Sequence, residues 1–265
     1  MPIHPTAIVD PRAEIDASAD IGPYAVVDGP VVVGAGTRVL AHAVLTGHTT
    51  IGRDNVIHMH AVVGHAPQDL GYRDQPTGLR IGDRNVVREH SEIHRATSPD
   101  RPTTLGDDNV LLSRAHVAHD CQLGSRIVMA TGATLGGHVE VDDLVFVSGN
   151  CVVHQYVRIG RLALLRGLSR TSRDVPPFCV MDHTHIVRGV NRVGLRRAGF
   201  GAEQIRAIQR AFAALFRTRR NLRQALAEVE AGPLTPEVAH LLEFIRASTR
   251  GVCTGPRQED VKRET

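Results

Sequence analysis

Every sixth residue along the first two thirds of the chain is aliphatic. The series opens Ile3, Val9, Ile15, Ile21, Val27, Val33 and is still in phase at Val147, Val153, Ile159 and Leu165. Of 28 positions on this grid, 25 are aliphatic, and Asp69, Gln75 and Pro99 are the exceptions. A helix with 3.6 residues per turn cannot keep such a period on one face, and a pleated strand alternates with period two. Small residues follow the aliphatic one at Gly22, Gly34, Gly52, Gly82, Gly106, Gly124, Gly136 and Gly160. The pattern therefore describes a short flat side and a corner. Three sides close a triangular coil of about 18 residues, and stacked coils pair strand on strand about 4.8 Å apart. The predicted fold class is mainly β, a parallel β-helix with aliphatic side chains pointing inward.

The exceptions mark two loops leaving the coil, at roughly 65–80 and 98–104. Long loops inside a regular solenoid are more often functional than accidental. After Leu165 the grid fails, and DVPPF (174–178) breaks the chain with two prolines. Helical periodicity then predicts a helix over 202–217, with Ile205, Ile208, Phe212, Leu215 and Phe216 on one face. A second is predicted over 221–230, and a third from the Thr235-Pro236 start to about 248. The predicted domains are a β-helix over 1–185 and a helical unit over 186–265.

Composition narrows the picture. Aromatic residues make up only 3% of the 265 residues and Trp is absent, as a narrow aliphatic prism requires. No pair among Cys121, Cys151, Cys179 and Cys253 has CxxC spacing, so a zinc knuckle or redox dithiol is not indicated, and scattered thiols suit a reducing compartment. No signal peptide and no apolar run of membrane-spanning length is found. A cytoplasmic location is expected. The formal charge of +3 does not suggest nucleic acid. Between Arg192 and Arg223, however, nine arginines face a single acid, Glu203.

One stretch departs from the aliphatic scheme in its chemistry. AHVAHDCQLG (115–124) sets His116, His119 and Asp120 between Val117 and Leu123. On the grid His116 ends one side and His119 falls in the middle of the next. One coil later Asp120 stacks on His138, His119 on Gly137, and Gly136 on His154. A polar patch thus forms from residues far apart in sequence. Its chemistry admits a general base oriented by a carboxylate, a zinc site, or ordinary surface histidines. The HxxH spacing does not match the HxxxxH pair of gamma-class carbonic anhydrases, and no metal and no cofactor are expected.

The stretches IGRDNVI, QDLGY, IGDRNVVRE, IHRAT, HVAHDCQLG, GATLGGHVEVDD, VVHQY, DVPPF, GVNRVGL and ASTRG span almost the whole chain. Together they resemble the UDP-N-acetylglucosamine O-acyltransferase family, which opens lipid A biosynthesis. The resemblance implies a left-handed coil and a homotrimer with sites between subunits. It also implies transfer of a (3-hydroxy)acyl chain from acyl carrier protein to the sugar 3-hydroxyl. Carried over by position, His119 is the general base, Asp120 its support, and the Gly137 N–H the oxyanion donor. Gln68, Asp69, His116, His138, His154 and Gln155 match positions on the acceptor and acyl sides. Gly167 matches a position that limits acyl length, and Asn191 and Arg197 match nucleotide-side positions. The arginine run suits an acidic carrier protein.

Three positions depart from the family pattern. Gly71 stands where Lys is frequent, Val193 where Glu is, and Ala198 where a second Arg is. All lie on the nucleotide side, leaving open a paralogue that acylates a different nucleotide (amino) sugar. A zinc enzyme of this fold or a non-catalytic scaffold are more distant alternatives.

Overall fold

The computed structural model describes residues 3–218 and 220–255. Three sheets of nine, eight and ten strands form the faces of a prism. Up to residue 171 sequential strands visit the sheets in turn, so neighbours within a sheet are three elements apart in sequence. All pairing within the coils is parallel, with registers such as His116↔Thr134 and Thr134↔Val152. The aliphatic grid lies inside: Ile21, Leu45, Ile57, Ile93, Leu111, Met129, Leu135 and Ile159 are fully buried. Ile3, in the first coil, is exposed.

The corners are built from left-handed backbone. One column of corner residues carries positive φ at Asp120, His138 and Tyr156. His119 and Asp120 form such a corner rather than lying along a side, which corrects the position expected from the grid. Asp is among the residues that tolerate this conformation through local hydrogen bonding. The two excursions run over 66–77 and 95–102, between the strands 62–65 and 78–81 and between 92–94 and 103–105. They are shifted by a few residues from the sequence expectation, because the strands extend into the first and the second leaves earlier.

A polar ladder inside the prism was not visible in the pattern. Asn85 and Asn109 donate their backbone N–H groups to Asn55 Oδ1 and Asn85 Oδ1, at 2.8 and 2.9 Å. Ile127 N–H continues the ladder to Asn109 Oδ1 at 2.8 Å. Each buried amide thus satisfies a corner N–H that the flat sides cannot reach.

The coil ends where strand Cys179–Asp182 pairs antiparallel with Ile186–Val190. The expected boundary at 185/186 falls in the connection between these strands. Four helices follow: α1 (Arg192–Arg197), α2 (Ala202–Phe216), α3 (Leu222–Glu230) and α4 (Pro236–Arg246). The α2 face that turns inward carries all five predicted apolar residues. Thr235 caps α4 through its side chain, with Pro236 in the first turn. The short helix α1 was missed because its six residues bury only Leu195 and show no period. Helix α4 lies on the prism, where the Arg158 guanidinium sits 4.4 Å over the Phe244 ring. The chain then returns to the coil through bridges Asp174↔Val252 and Ile186↔Thr254. All four cysteines are buried and free. Among the described residues no helix is long and apolar enough to cross a membrane.

Candidate active site

The site is a corner of the prism with both excursions folded against it. The His119 side chain is 8% exposed, and its Nδ1 lies 2.7 Å from Asp120 Oδ2. An ionised carboxylate only accepts, so Nδ1 carries the proton and Nε2 presents a lone pair. Asp120 is held in turn. Its Oδ1 accepts from Thr97 N–H at 3.0 Å and its Oδ2 from Thr97 Oγ1 at 2.7 Å. Its own N–H donates to Thr103 Oγ1 at 2.8 Å. Burial alone would raise the Asp120 pKa, but the bonds from His119 and Thr97 outweigh it and hold the carboxyl below its ordinary range.

Gly137 lies against the His119 ring. A Cβ at Gly137 would overlap the imidazole, approaching Nε2 to 2.7 Å, so a side chain here displaces the histidine. Among the described residues the Gly137 N–H donates to no group. His138 crosses His119 edge-on at 5.3 Å and stacks on Tyr156 at 4.4 Å. Burial lowers the His138 pKa, with Asp120 opposing, so this imidazole is neutral near pH 7. Asp69 brings a second carboxylate from the first excursion: its Oδ2 lies 3.8 Å from His119 Nε2, on the side open to an acceptor.

The remaining candidates spread outward. His116 sits on the outer face of the adjoining strand, 3.2 Å from Glu92 Oε2. Gln68 is exposed beside Asp69. His154 and Gln155 follow Gly136 one coil later, and His154 Nδ1 lies 3.5 Å from Arg250 Nη2. Gly167 is exposed, and a Cβ there would touch the Gly149 carbonyl at an ordinary 3.6 Å. Asn191 is buried as the cap of α1, accepting from Gly194 N–H and donating to the Leu162 carbonyl. Arg197 is exposed at the end of α1. Gly167, Asn191 and Arg197 share no hydrogen bond or ion pair with the His119 cluster among the described residues.

Sequence reasoning singled out neither Thr97 nor Thr103, although IHRAT was among the matching stretches. It also missed Tyr156, which lies in the column above Asp120 and His138, and Arg250 of ASTRG. Periodicity cannot reveal such residues, since their roles depend on where excursions fold back. Gln75, a break in the grid, is one signal in retrospect: its Nε2 donates to the Thr97 carbonyl at 3.0 Å and ties the first excursion to the residue supporting Asp120.

Known proteins are similar to this chain in sequence and in architecture. Residues 174–253 match the family model described as Udp N-acetylglucosamine O-acyltransferase, Domain 2. The acyl-[acyl-carrier-protein]--UDP-N-acetylglucosamine O-acyltransferase of Alkalilimnicola ehrlichii is 52% identical over 94% of this chain and 98% of its own length. That of a Janthinobacterium strain is 48% identical over 94% and 98%. The solved UDP-N-acetylglucosamine acyltransferase of Francisella novicida superposes with a TM-score of 0.91 at 31% identity, covering 97% of this chain and 95% of that one. The likeness to solved members also makes the coil a left-handed β-helix. By identity across nearly its full length, the chain belongs to the UDP-N-acetylglucosamine O-acyltransferase family.

Proposed function

We propose that the protein transfers an acyl chain from acyl carrier protein to the 3-hydroxyl of UDP-N-acetylglucosamine, with His119 as general base. The observation that carries this reading is the Asp120–His119 pair, its imidazole buried, with Nε2 left open beside Gly137. His119 Nε2 takes the proton of the sugar hydroxyl as its oxygen attacks the thioester carbonyl. Asp120 holds the ring in the tautomer that permits this and stabilises the imidazolium. The Gly137 N–H donates to the carbonyl oxygen as it becomes an oxyanion. Collapse re-forms the carbonyl, expels the carrier thiolate, and His119 returns its proton to that sulfur. No other group is required to balance the reaction.

Asp69, Gln68, His116 and His138 are assigned to the acceptor side. His154, Gln155 and Gly167 lie along the following coils and are assigned to the acyl side, where Gly167 leaves room for a long chain. Arg197 is assigned to the nucleotide, with Asn191 acting through the helix it caps. Since the C-terminal residues share no bond with His119 in one chain, we assign the complete site to a homotrimer in which neighbouring subunits contribute. The location proposed is cytoplasmic. The test is incubation of purified protein with acyl-carrier-protein thioesters and UDP-N-acetylglucosamine. The expected product is the 3-O-acyl sugar nucleotide, and release of carrier thiol without that product would refute the assignment.

The basic face is assigned to the carrier. Arg206 pairs with Glu203 and Arg220 with Glu228, while Arg217 lies over the Phe212 ring. Arg219 lies outside the described residues. Arg192, Arg196, Arg210 and Arg223 are exposed and have no ion pair among the described residues, so they are free to meet an acidic partner.

A further inference from the structure

A second cluster of imidazole and carboxylate lies beside the His119 corner. Glu92, Ile93 and His94 occupy one strand. Ile93 points into the core, so Glu92 and His94 both project outward. His116 is paired directly across from Glu92 on the next strand. One ligand atom from each of Glu92, His94 and His116 lies within 4.8 Å of the others. The rings of His94 and His116 are 5.2 Å apart.

His94 is the unusual member. It is only 4% exposed. Its Nδ1 lies 2.8 Å from the Ala66 carbonyl, so Nδ1 carries the proton and the bond fixes the ring. Its Nε2 then bears a bare lone pair that has no hydrogen-bond partner. The nearest charged group, Glu92 Oε2, is 3.8 Å away and is itself an acceptor. A buried acceptor that lacks a donor and lies near a carboxylate oxygen is satisfied by an electron-pair acceptor between the two, and an ion there would take the place of the His116 Nδ1–H bond to Glu92 Oε2. A metal-binding histidine typically donates its other nitrogen to a carbonyl or carboxylate, as His94 does.

We infer that Glu92, His94 and His116 form a binding site for a divalent transition-metal ion of the zinc class. Two imidazoles and one carboxylate suit zinc, whereas magnesium and calcium prefer all-oxygen shells. The neighbouring trio of His119, Asp120 and His138 does not compete on the same terms. There the Asp120 oxygens already accept from His119, Thr97 N–H and Thr97 Oγ1. Glu92 is exposed, with no partners beyond these imidazoles among the described residues. The ion plays no part in the transfer chemistry. Because it would engage His116, it is expected to impede acceptor binding, a consequence that rests on the function proposed above.

Calorimetric titration of the chelator-treated full chain with zinc chloride tests the site without reference to activity. One ion per chain is expected. Glu92→Gln and His94→Gln should each weaken binding by at least about tenfold, and His138→Gln should leave it unchanged. Absence of saturable binding to the wild type, or equal affinity in Glu92→Gln, overturns the site. So does loss of binding in His138→Gln alone, which would place the ion on the catalytic trio. If His94→Gln fails to fold, the exposed Glu92→Gln decides. In a separate transfer assay, zinc should raise the apparent KM for the sugar nucleotide in the wild type and not in Glu92→Gln. A wild type indifferent to zinc would remove the inhibitory consequence and leave the titration to judge the site.

Discussion

Thr97 holds Asp120 by two bonds, from its N–H at 3.0 Å and its hydroxyl at 2.7 Å, while Asp120 holds His119 at 2.7 Å. The base is thus positioned through a relay that begins in the second excursion. Thr97→Val keeps the shape and removes the hydroxyl bond. It should lower kcat about ten- to a hundredfold, the equivalent of the ~1.5–3 kcal/mol of a hydrogen bond to a charged group. With one lowering bond gone, the Asp120 pKa rises, and the acid limb of the rate profile should move to higher pH. Unchanged kcat together with an unchanged acid limb would show that Thr97 has no part in positioning.

Gly137 is the second constraint on the base. A methyl at this position overlaps the His119 ring. Gly137→Ala should therefore displace the base and cost up to about 10²-fold in kcat, with little change in KM for the acceptor. Wild-type turnover in this variant would show that the close packing of Gly137 on His119 does not position the base.

Stability should fall as pH drops through the imidazole range. His58, His94, His138 and His185 all have pKa values lowered chiefly by burial. For such groups the unfolded chain binds the proton more readily than the folded one. Stability is then complete above the unfolded value of about 6.5 and declines below it. The melting temperature should be lower at pH 5.5 than at pH 7.5, and His138→Gln should narrow the gap. A flat profile across that interval would contradict the reading of these at least partly buried rings as neutral in the folded chain.

Carrier docking should be electrostatic. Charges at exposed Arg210 and Arg223 are screened over about 8 Å at physiological ionic strength, so kcat/KM for the carrier thioester should fall as salt rises. Arg210→Glu with Arg223→Glu should weaken use of the carrier and flatten the salt slope, leaving KM for the sugar nucleotide in place. An unaltered slope would mean that the arginines form a solvated surface only.

Assembly gives a further check. Sedimentation should report three times the chain mass of 28.7 kDa. Mixed trimers of His119→Ala and Arg197→Ala subunits should recover part of the activity that each variant lacks alone. Asp69 is unsuited to this experiment because it sits beside His119 of its own chain. A fully active monomer would exclude the composite site.

Much of this architecture is written in residue spacing. The six-residue grid announces the coil because each inward position meets the same narrow interior, from Ile21 to Leu165. The α2 and α4 starts and faces are equally legible, since capping and helical period are local properties. Within the site, stacking arithmetic places His119 on Gly137 and Asp120 on His138, because corners repeat with the coil. It does not reach Thr97, Thr103 or Arg250, whose positions depend on where excursions and the returning C-terminal segment land. Nor does it show that Asn191 is consumed in capping α1 or that His94 is left with an unpartnered nitrogen. Those are consequences of hydrogen-bond accounting in three dimensions.

The most direct measurement is single-turnover transfer of the acyl group to UDP-N-acetylglucosamine by His119→Ala, compared with wild type in the same trimeric state. The wild type should 3-O-acylate the sugar nucleotide and the variant should lose about 10²–10⁴ in rate, with substrate binding largely retained. Transfer by His119→Ala at close to the wild-type rate would contradict the role of His119 as general base.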